Sequence, residues 1–166
     1  MFGAFQHTSK YEAAVATVQP AVLLRQHLAV TATGIQIGKR QLNIPTRSVV
    51  VIGAGKAAAA MAQTAEKILG NYIKAGIIST KYEHALHLQT IHCMEAAHPV
   101  PDEQSLEAVQ QTIQLLQQTQ PGDVILCLIS GGASSLWADV PDGCNLQEVQ
   151  ETFQLLLKSG AAIDEM

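Results

Sequence analysis

Two glycine-rich segments and one lysine are the residues of this chain best suited to hold a negatively charged group. The first segment, residues 48–60 (SVVVIGAGKAAAA), is an apolar run that ends in Gly53-Ala-Gly55 and continues through Lys56 into four alanines. This pattern is typical of a buried strand, a tight turn and the start of a helix. A helix start presents free N–H groups and partial positive charge, and glycines keep side chains out of the way. The segment therefore predicts a phosphate or carboxylate site to which Lys56 adds a full charge.

The second segment, residues 130–135 (SGGASS), follows another apolar run, residues 123–129. Two glycines and three hydroxyls after a strand can form a concave nest of N–H donors. A third loop, residues 97–103, contains His98. Ligands bind beyond the carboxyl ends of the strands in an open parallel sheet, so we expect the three loops to meet there. The predicted binding residues are Gly53, Gly55, His98, Ser130, Gly131, Gly132, Ser134 and Ser135.

Each of these residues also has a purely structural interpretation. The glycines could serve only a tight turn, Lys56 could be a solvated lysine, and His98 could be an ordinary loop histidine. Capping of a helix is the favoured role for Asp102 and Glu103, and Ser134 and Ser135 could cap a short helix. A further group has partial metal-ligand spacing but straddles a loop and a strand, so we expect no metal site there; its members are His84, His87, His92 and Cys93.

Apolar periodicity and breaking residues predict the elements that position these loops. Helices are expected at 11–18, 20–28, 56–69, 102–118 and 146–159, a small hairpin at 34–44, and strands at 48–52, 75–80, 90–95 and 123–129. The last strand is apolar throughout, which predicts burial on both faces. Strands that alternate with helices indicate an α/β fold, here a Rossmann-like, doubly wound, mostly parallel sheet with helices on both faces. We expect N-terminal helices and the hairpin in residues 1–45 and the Rossmann-like part in residues 46–166.

Composition limits the class of protein. The chain has 166 residues, 48% apolar and 14% charged, with a net charge of −4, which is typical of a globular protein. No basic run suggests nucleic-acid binding, and no apolar stretch approaches the roughly 20 residues of a membrane span. The three cysteines are irregularly spaced, as reduced thiols are, and the N-terminus has no signal-peptide pattern. These features favour a cytoplasmic protein.

Three well-known motifs fit the glycine segments incompletely. Gly53-Ala-Gly55-Lys-Ala-Ala58 matches the dinucleotide pattern, but the second strand ends in Ser-Thr-Lys81 without the acid that holds a ribose. The Walker loop fails because alanine, not serine or threonine, follows Lys56. The hydrolase elbow fails because Leu136 stands where a glycine is needed.

The same loops resemble a known family. VVVIGAGKAA (49–58), AAHPVPDE (96–103), LISGGASSL (128–136) and LLKSGA (156–161) look like the amino-terminal half of the glycerate 2-kinases, often labelled hydroxypyruvate reductases. The resemblance covers nearly the whole chain from about residue 11. Family members continue for a couple of hundred residues further, so we expect a fragment that lacks the second family domain. One departure is that Ala133-Ser-Ser135 stands where the family usually has Gly-Ser-Ala, and a Cβ at position 133 opposes a positive φ.

The resemblance implies ATP- and Mg²⁺-dependent phosphorylation of D-glycerate to 2-phosphoglycerate in a cleft between two domains. Lys56 matches an invariant lysine of the family, which makes it the predicted catalytic residue. His98 and the serine-glycine loop match the family's other motifs, whereas its carboxylates and arginine from the second domain have no counterpart. We therefore expect no kinase activity from this chain alone.

Alternatives remain open at this stage. One is an NAD(P)-dependent hydroxypyruvate reductase, for which Lys81 suits NADP better than NAD. Another is a non-catalytic module that binds an anion or a sugar phosphate. A homodimer is also left open as the assembly state.

Overall fold

The computed structural model describes residues 3–160 and residue 162, with side chains described from residue 10 onward. This part of the chain contains two β-sheets, a small antiparallel sheet and a larger parallel one. The helices are α1 (Gly3–Thr17), α2 (Pro20–His27), α3 (Ala58–Leu69), α4 (Glu103–Gln117), α5 (Ala133–Leu136) and α6 (Leu146–Ser159). The strands are β1 (Leu28–Thr31), β2 (Gly34–Ile37), β3 (Arg40–Leu42), β4 (Val49–Ala54), β5 (Ile73–Lys81), β6 (Ile91–Ala96) and β7 (Val124–Ile129).

The larger sheet has four parallel strands in the order β6-β5-β4-β7. Its first strand in the chain, β4, is therefore central, which is the order of a Rossmann-type sheet. Helix α3 connects β4 to β5, and α4 connects β6 to β7 in the opposite direction across the sheet. Right-handed crossovers in opposite directions place the two helices on opposite faces. The predicted α/β fold is thus confirmed.

Strand β4 is buried along its whole length because both of its faces are covered. Val49 and Val51 belong to the core under α3, whereas the alternate residue Val50 is buried on the opposite face. Helix α3 presents alanines to the sheet, among them Ala58 and Ala62, both fully buried. Small side chains let the helix lie close to the strands, so its first residues approach the end of β4.

The small sheet consists of β1, β2 and β3, each antiparallel to the next. The predicted hairpin is confirmed as β2 and β3, joined at Gly38-Lys39. Leu28 and Ile35 are buried in the same core as α3, so the N-terminal segment packs on the main body. The proposed division at residue 45 stays a prediction.

The prediction that residues 123–129 are buried on both faces is wrong, because one face of β7 is exposed. Leu128 faces the core and is 4% exposed, whereas Ile125 and Ile129 on the other face are 48% and 52% exposed. Within the described sheet, β7 pairs only with β4. An apolar run has the same sequence whether or not a further strand and helix cover it, so the sequence alone could not reveal this.

Among the described residues, no helix combines the length and the apolar character needed to cross a bilayer. Residues 161 and 163–166, at the end of the chain, lie outside the described residues.

Candidate functional site

The two glycine-rich loops lie side by side at the carboxyl end of the parallel sheet. Ala54 and Ile129, the last residues of β4 and β7, are register partners. Beyond them the Ser130 N–H donates to the Ala54 carbonyl (3.0 Å), and the Lys56 N–H donates to the Gly131 carbonyl (3.0 Å). The loops are therefore joined by their backbones, and the convergence expected from parallel strands is present.

Close approach between these strands explains both glycines of the first loop. A Cβ on Gly53 would lie 2.2 Å from the Leu128 carbonyl oxygen. A Cβ on Gly55, whose φ is +131°, would lie 2.2 Å from Ser130 Oγ. Neither position accepts a side chain, because the neighbouring strand or loop already fills the space.

The amides of the first loop are occupied by the protein, which corrects the prediction that Gly53 and Gly55 leave this backbone open to an anion. The N–H groups of Gly55, Lys56 and Ala58 donate to the carbonyls of Ser79, Gly131 and Gly55, each at 3.0 Å. The Ala57 N–H donates to Ser130 Oγ at 3.0 Å. These acceptors come mostly from β5 and from the loop after β7, so the motif by itself could not reveal them.

The second glycine loop is open where the first is closed. Among the described residues we find no acceptor for the N–H groups of Gly131 and Gly132. The positive φ of this loop falls on Gly132, at +87°, whereas Ala133 is the first residue of α5. The Cβ at position 133 is therefore accommodated without strain, although the family usually has glycine there.

The two serines of α5 point in different directions. Ser135 is buried, and its hydroxyl donates to the Gly132 carbonyl at 3.2 Å. Ser134 is exposed and its hydroxyl has no partner among the described residues. Neither hydroxyl caps the helix, since the residue at the N-cap position is Gly132. Ser134 is thus the serine of α5 available to a ligand.

Lys56, His98 and Gly132 bring all three loops together. A Cβ on Gly132 would lie 2.7 Å from Nε2 of His98 and 3.4 Å from Cε of Lys56. Glycine at position 132 therefore makes room for the imidazole and the lysine at once. We refer to Lys56, His98 and the loop 130–134 as the rim site.

His98 is the titratable centre of the rim site. Burial lowers the pKa of its imidazole below the ordinary value, and the positive charges of Lys56 and Lys81 lower this pKa further. The ring is therefore neutral at pH 7 and can accept a hydrogen bond. Lys81, the last residue of β5, was not among the predicted site residues, although its place at the end of a parallel strand was a signal that could have pointed to it.

A cleft of about 590 Å³ opens beside the rim site. His98, Gly132 and Ser134 form a polar wall, and α6 contributes Phe153 and Leu156 to an apolar wall. One polar wall and one apolar wall suit a small organic molecule better than a bare ion.

Asp102 has the capping role favoured by the sequence. Its Oδ1 accepts the Ser105 N–H at 3.1 Å at the start of α4, and the Tyr82 hydroxyl donates to its Oδ2 at 2.6 Å. Burial opposes ionisation of Asp102, but the hydrogen bonds from Tyr82, Ala97 and Ser105 outweigh it and lower the pKa of Asp102. The hydrogen bond between the Tyr82 hydroxyl and Asp102 also raises the pKa of Tyr82 to about 12. The carboxylate thus holds the loop that carries His98.

Metal-ligating side chains do not cluster in the described part of the chain. No group of three histidines, cysteines or acids capable of holding a metal ion occurs there. Glu95, near the histidines at 84, 87 and 92, accepts the N–H groups of His84 and Ala85.

The fold and the rim site define a Rossmann-like α/β protein with a cationic site at the carboxyl edge of its sheet. This chain belongs to the family described as "Domain of unknown function (DUF4147)", whose model matches residues 6–166. A D-glycerate 2-kinase of Thermotoga maritima is 40% identical over 119 residues, which cover 71% of this chain and 28% of that protein.

Two solved structures share the architecture. The PH0495 protein from Pyrococcus horikoshii superposes with a TM-score of 0.82 at 31% identity, over 99% of this chain and 38% of that one. A glycerate kinase from Thermotoga maritima gives a TM-score of 0.73 at 34% identity, over 93% of this chain and 34% of that one. Relatives from Agrobacterium vitis are named as hydroxypyruvate reductases instead. The chain thus spans about a third of the length of the relatives that it matches.

Proposed function

We propose that this chain contributes the rim site to a glycerate 2-kinase, an enzyme that transfers the γ-phosphoryl group of ATP to D-glycerate and forms 2-phosphoglycerate. The observation that carries the proposal is the meeting of Lys56, His98 and Gly132 at one edge of the sheet. The relatives named as glycerate kinases support the choice of reaction. The proposal places this reaction in the cytoplasm.

The chemistry of the rim site suits phosphoryl transfer. This reaction depends mainly on positioning and on stabilisation of negative charge, and it needs no covalent nucleophile from the protein. Lys56 supplies a mobile positive charge, and the amides of Gly131 and Gly132 supply fixed donors. His98, neutral at pH 7, can accept a hydrogen bond from a substrate hydroxyl. Together these groups can orient an anion and neutralise the charge that develops on it.

ATP and Mg²⁺, the two cofactors of the proposed reaction, differ in how well they fit the residues of this chain. Phosphate oxygens of ATP fit the lysine, amide and hydroxyl donors of the rim site. Mg²⁺ prefers carboxylate oxygens, and Asp102 and Glu95, on the elements that end at the rim, already accept hydrogen bonds from the protein. The described residues therefore do not fit a magnesium site.

A reductase that binds NAD(P) is less well supported. Such enzymes place the pyrophosphate on free amides at the start of the first helix. Here the corresponding amides donate to protein acceptors, and Ser130 Oγ occupies the space in front of Gly55. Lys81 stands where the fingerprint needs an acid for NAD.

Titration calorimetry of the 166-residue chain with D-glycerate, 2-phosphoglycerate, ATP, NADPH and sugar phosphates separates the alternatives. The proposal expects heat from at least one of the first three ligands, lost in Lys56→Ala and retained in the control Lys67→Ala. Saturable binding of NADPH alone would favour the reductase. Binding of sugar phosphates without ATP or glycerate would favour a non-catalytic module.

Catalysis is expected to need more than this chain. The relatives are about three times as long, and the resemblance places their active site between two domains. We predict that ADP release from the purified chain with ATP, Mg²⁺ and D-glycerate does not exceed background. Release above background would show that the rim site is sufficient for turnover.

A further inference from the structure

A second lysine, Lys81, lies at the same end of the sheet as the rim site. Lys81 pairs with Ala96 in the register of β5 and β6, and His98 follows only two residues later. Side chains alternate along a strand, so Lys81 shares a face of β5 with Ser79. Ser79 Oγ donates to the Leu136 carbonyl at 2.6 Å, which places that face toward α5, the short helix that follows the glycines of the rim site. The positive charge of Lys81 also acts on His98, in addition to that of Lys56.

Neither lysine forms an ion pair with a carboxylate in the described part of the chain. The one ion pair found there joins Lys74 to Asp123 at the opposite end of β5. Two nearby carboxylates accept hydrogen bonds from neutral groups instead: Asp102 accepts from Tyr82 and Ser105, and Glu95 accepts two backbone N–H groups. A chain with a net charge of −4 therefore keeps two unpaired lysines at one edge of its sheet.

We propose that Lys81 and Lys56 together form a two-charge site that selects a dianionic phosphoryl group over a monoanionic carboxylate. This inference rests on the proposed function, and it assigns the rim site to the phosphoryl end of the reactants. A phosphate group carries between about 1.5 and 2 negative charges at pH 7, whereas a carboxylate carries one. A second lysine therefore adds more to the binding of phosphate than to that of a carboxylate.

The test measures binding of inorganic phosphate and of acetate to the full 166-residue chain at pH 8, where phosphate is mostly dianionic. Lys81→Gln is expected to weaken phosphate binding about tenfold or more, the loss of one charge-assisted contact, and acetate binding less than threefold. Lys56→Gln should weaken the binding of both anions. Lys67→Gln on the exposed surface of α3 changes net charge equally and should leave both affinities unchanged.

Two further measurements keep the outcome clear. Without any anion, NMR titration should show the pKa of His98 closer to its ordinary value in Lys81→Gln than in the native chain, since one repulsive charge is gone. Lys81→Arg retains the charge and should retain phosphate binding. This variant separates loss of the charge from the effect of replacing the lysine side chain.

The results divide the two proposals. If Lys56→Gln weakens phosphate binding but Lys81→Gln behaves like Lys67→Gln, the two-charge site is wrong and the proposed function stands. Equal losses of phosphate and acetate in Lys81→Gln would also overturn the selectivity. If the native chain binds neither anion, or if Lys56→Gln changes nothing, both proposals fail.

Discussion

Gly55 is the residue at which steric demand is most specific. Its φ is +131°, and a Cβ would lie 2.2 Å from Ser130 Oγ, whereas Gly122 has a φ of +99° with nothing within 4 Å of its Cβ position. Both alanine variants suffer the positive φ, but only Gly55→Ala must also displace Ser130. We predict that Gly55→Ala lowers the free energy of unfolding by about 1–3 kcal/mol more than Gly122→Ala.

Urea denaturation of the two variants measures this difference. Equal losses would show that the loops do not lie against each other. A Ser130→Gly change in the Gly55→Ala background should recover only a small part of the lost stability, because it removes the hydroxyl but leaves the Ser130 carbonyl oxygen 2.5 Å from the new Cβ.

His98 should make anion binding depend on pH. Its pKa is lowered in the free chain, and a bound anion beside Lys56 raises it again. Binding then takes up a proton, so affinity rises as the pH falls from the pKa of the complex to that of the free chain, and levels off below both. Calorimetry with a fully ionised anion such as sulfate measures this slope, and His98→Gln should abolish it. A slope that persists in His98→Gln would assign the proton to another group.

The same shift affects stability with a definite sign. The unfolded chain binds the His98 proton more readily than the folded chain, so stability declines as the pH falls from about 6.5 to the lower pKa of the folded state. Asp102 acts lower on the scale: its contribution is present above the ordinary pKa of the aspartate and is lost as the pH falls through its lowered value.

The start of α4 shows how an element positions a site residue. Asp102 and Ser105 form a capping box, and Tyr82 holds the same carboxylate from the end of β5. We predict that Asp102→Ala lowers the free energy of unfolding by about 0.5–2 kcal/mol, the ordinary value of a helix cap. The exposed Asp142→Ala serves as the control for loss of an acid, and a cost no larger than in this control would contradict the capping role.

Substitutions on the two faces of β7 test whether its outer face is exposed. Leu128 is 4% exposed and Ile125 is 48% exposed on the opposite face. We predict that Leu128→Ala costs about 2–5 kcal/mol of unfolding free energy and Ile125→Ala much less. Similar losses for the two variants would indicate that a further layer covers the outer face of β7.

Most helices and strands and the parallel sheet were predictable from the sequence. The exposed face of β7 and the hydrogen bonds between the two glycine loops were not. The alanine run of α3, the capping pattern before α6 and the apolar run of β4 are local signals, so these elements appear near their predicted bounds. Strand order is not a local property, which is why the exposed face of β7 was missed. The occupied amides near Gly55 were missed for the same reason, since Ser79 comes from β5 and Ser130 from the loop after β7.

At the scale of the whole molecule, charge is distributed unevenly. The chain is acidic overall, yet the carboxyl edge of its sheet carries Lys56 and Lys81 beside a neutral His98. Such an arrangement attracts small anions to one edge and depends on ionic strength. Apolar residues on β7 and α6 are also exposed, among them Ile129 and Leu155.

The most direct test of the account is the turnover of a full-length relative, the Thermotoga maritima D-glycerate 2-kinase, with alanine at the lysine that matches Lys56. Coupled detection of ADP should show kcat reduced about 10²–10³-fold with unchanged thermal stability, since a charge that stabilises the transferring group is lost. Alanine at an exposed lysine of the following helix, as Lys67 is here, should leave kcat unchanged. A kcat equal to that of the native enzyme in the first variant would contradict the central role given to Lys56.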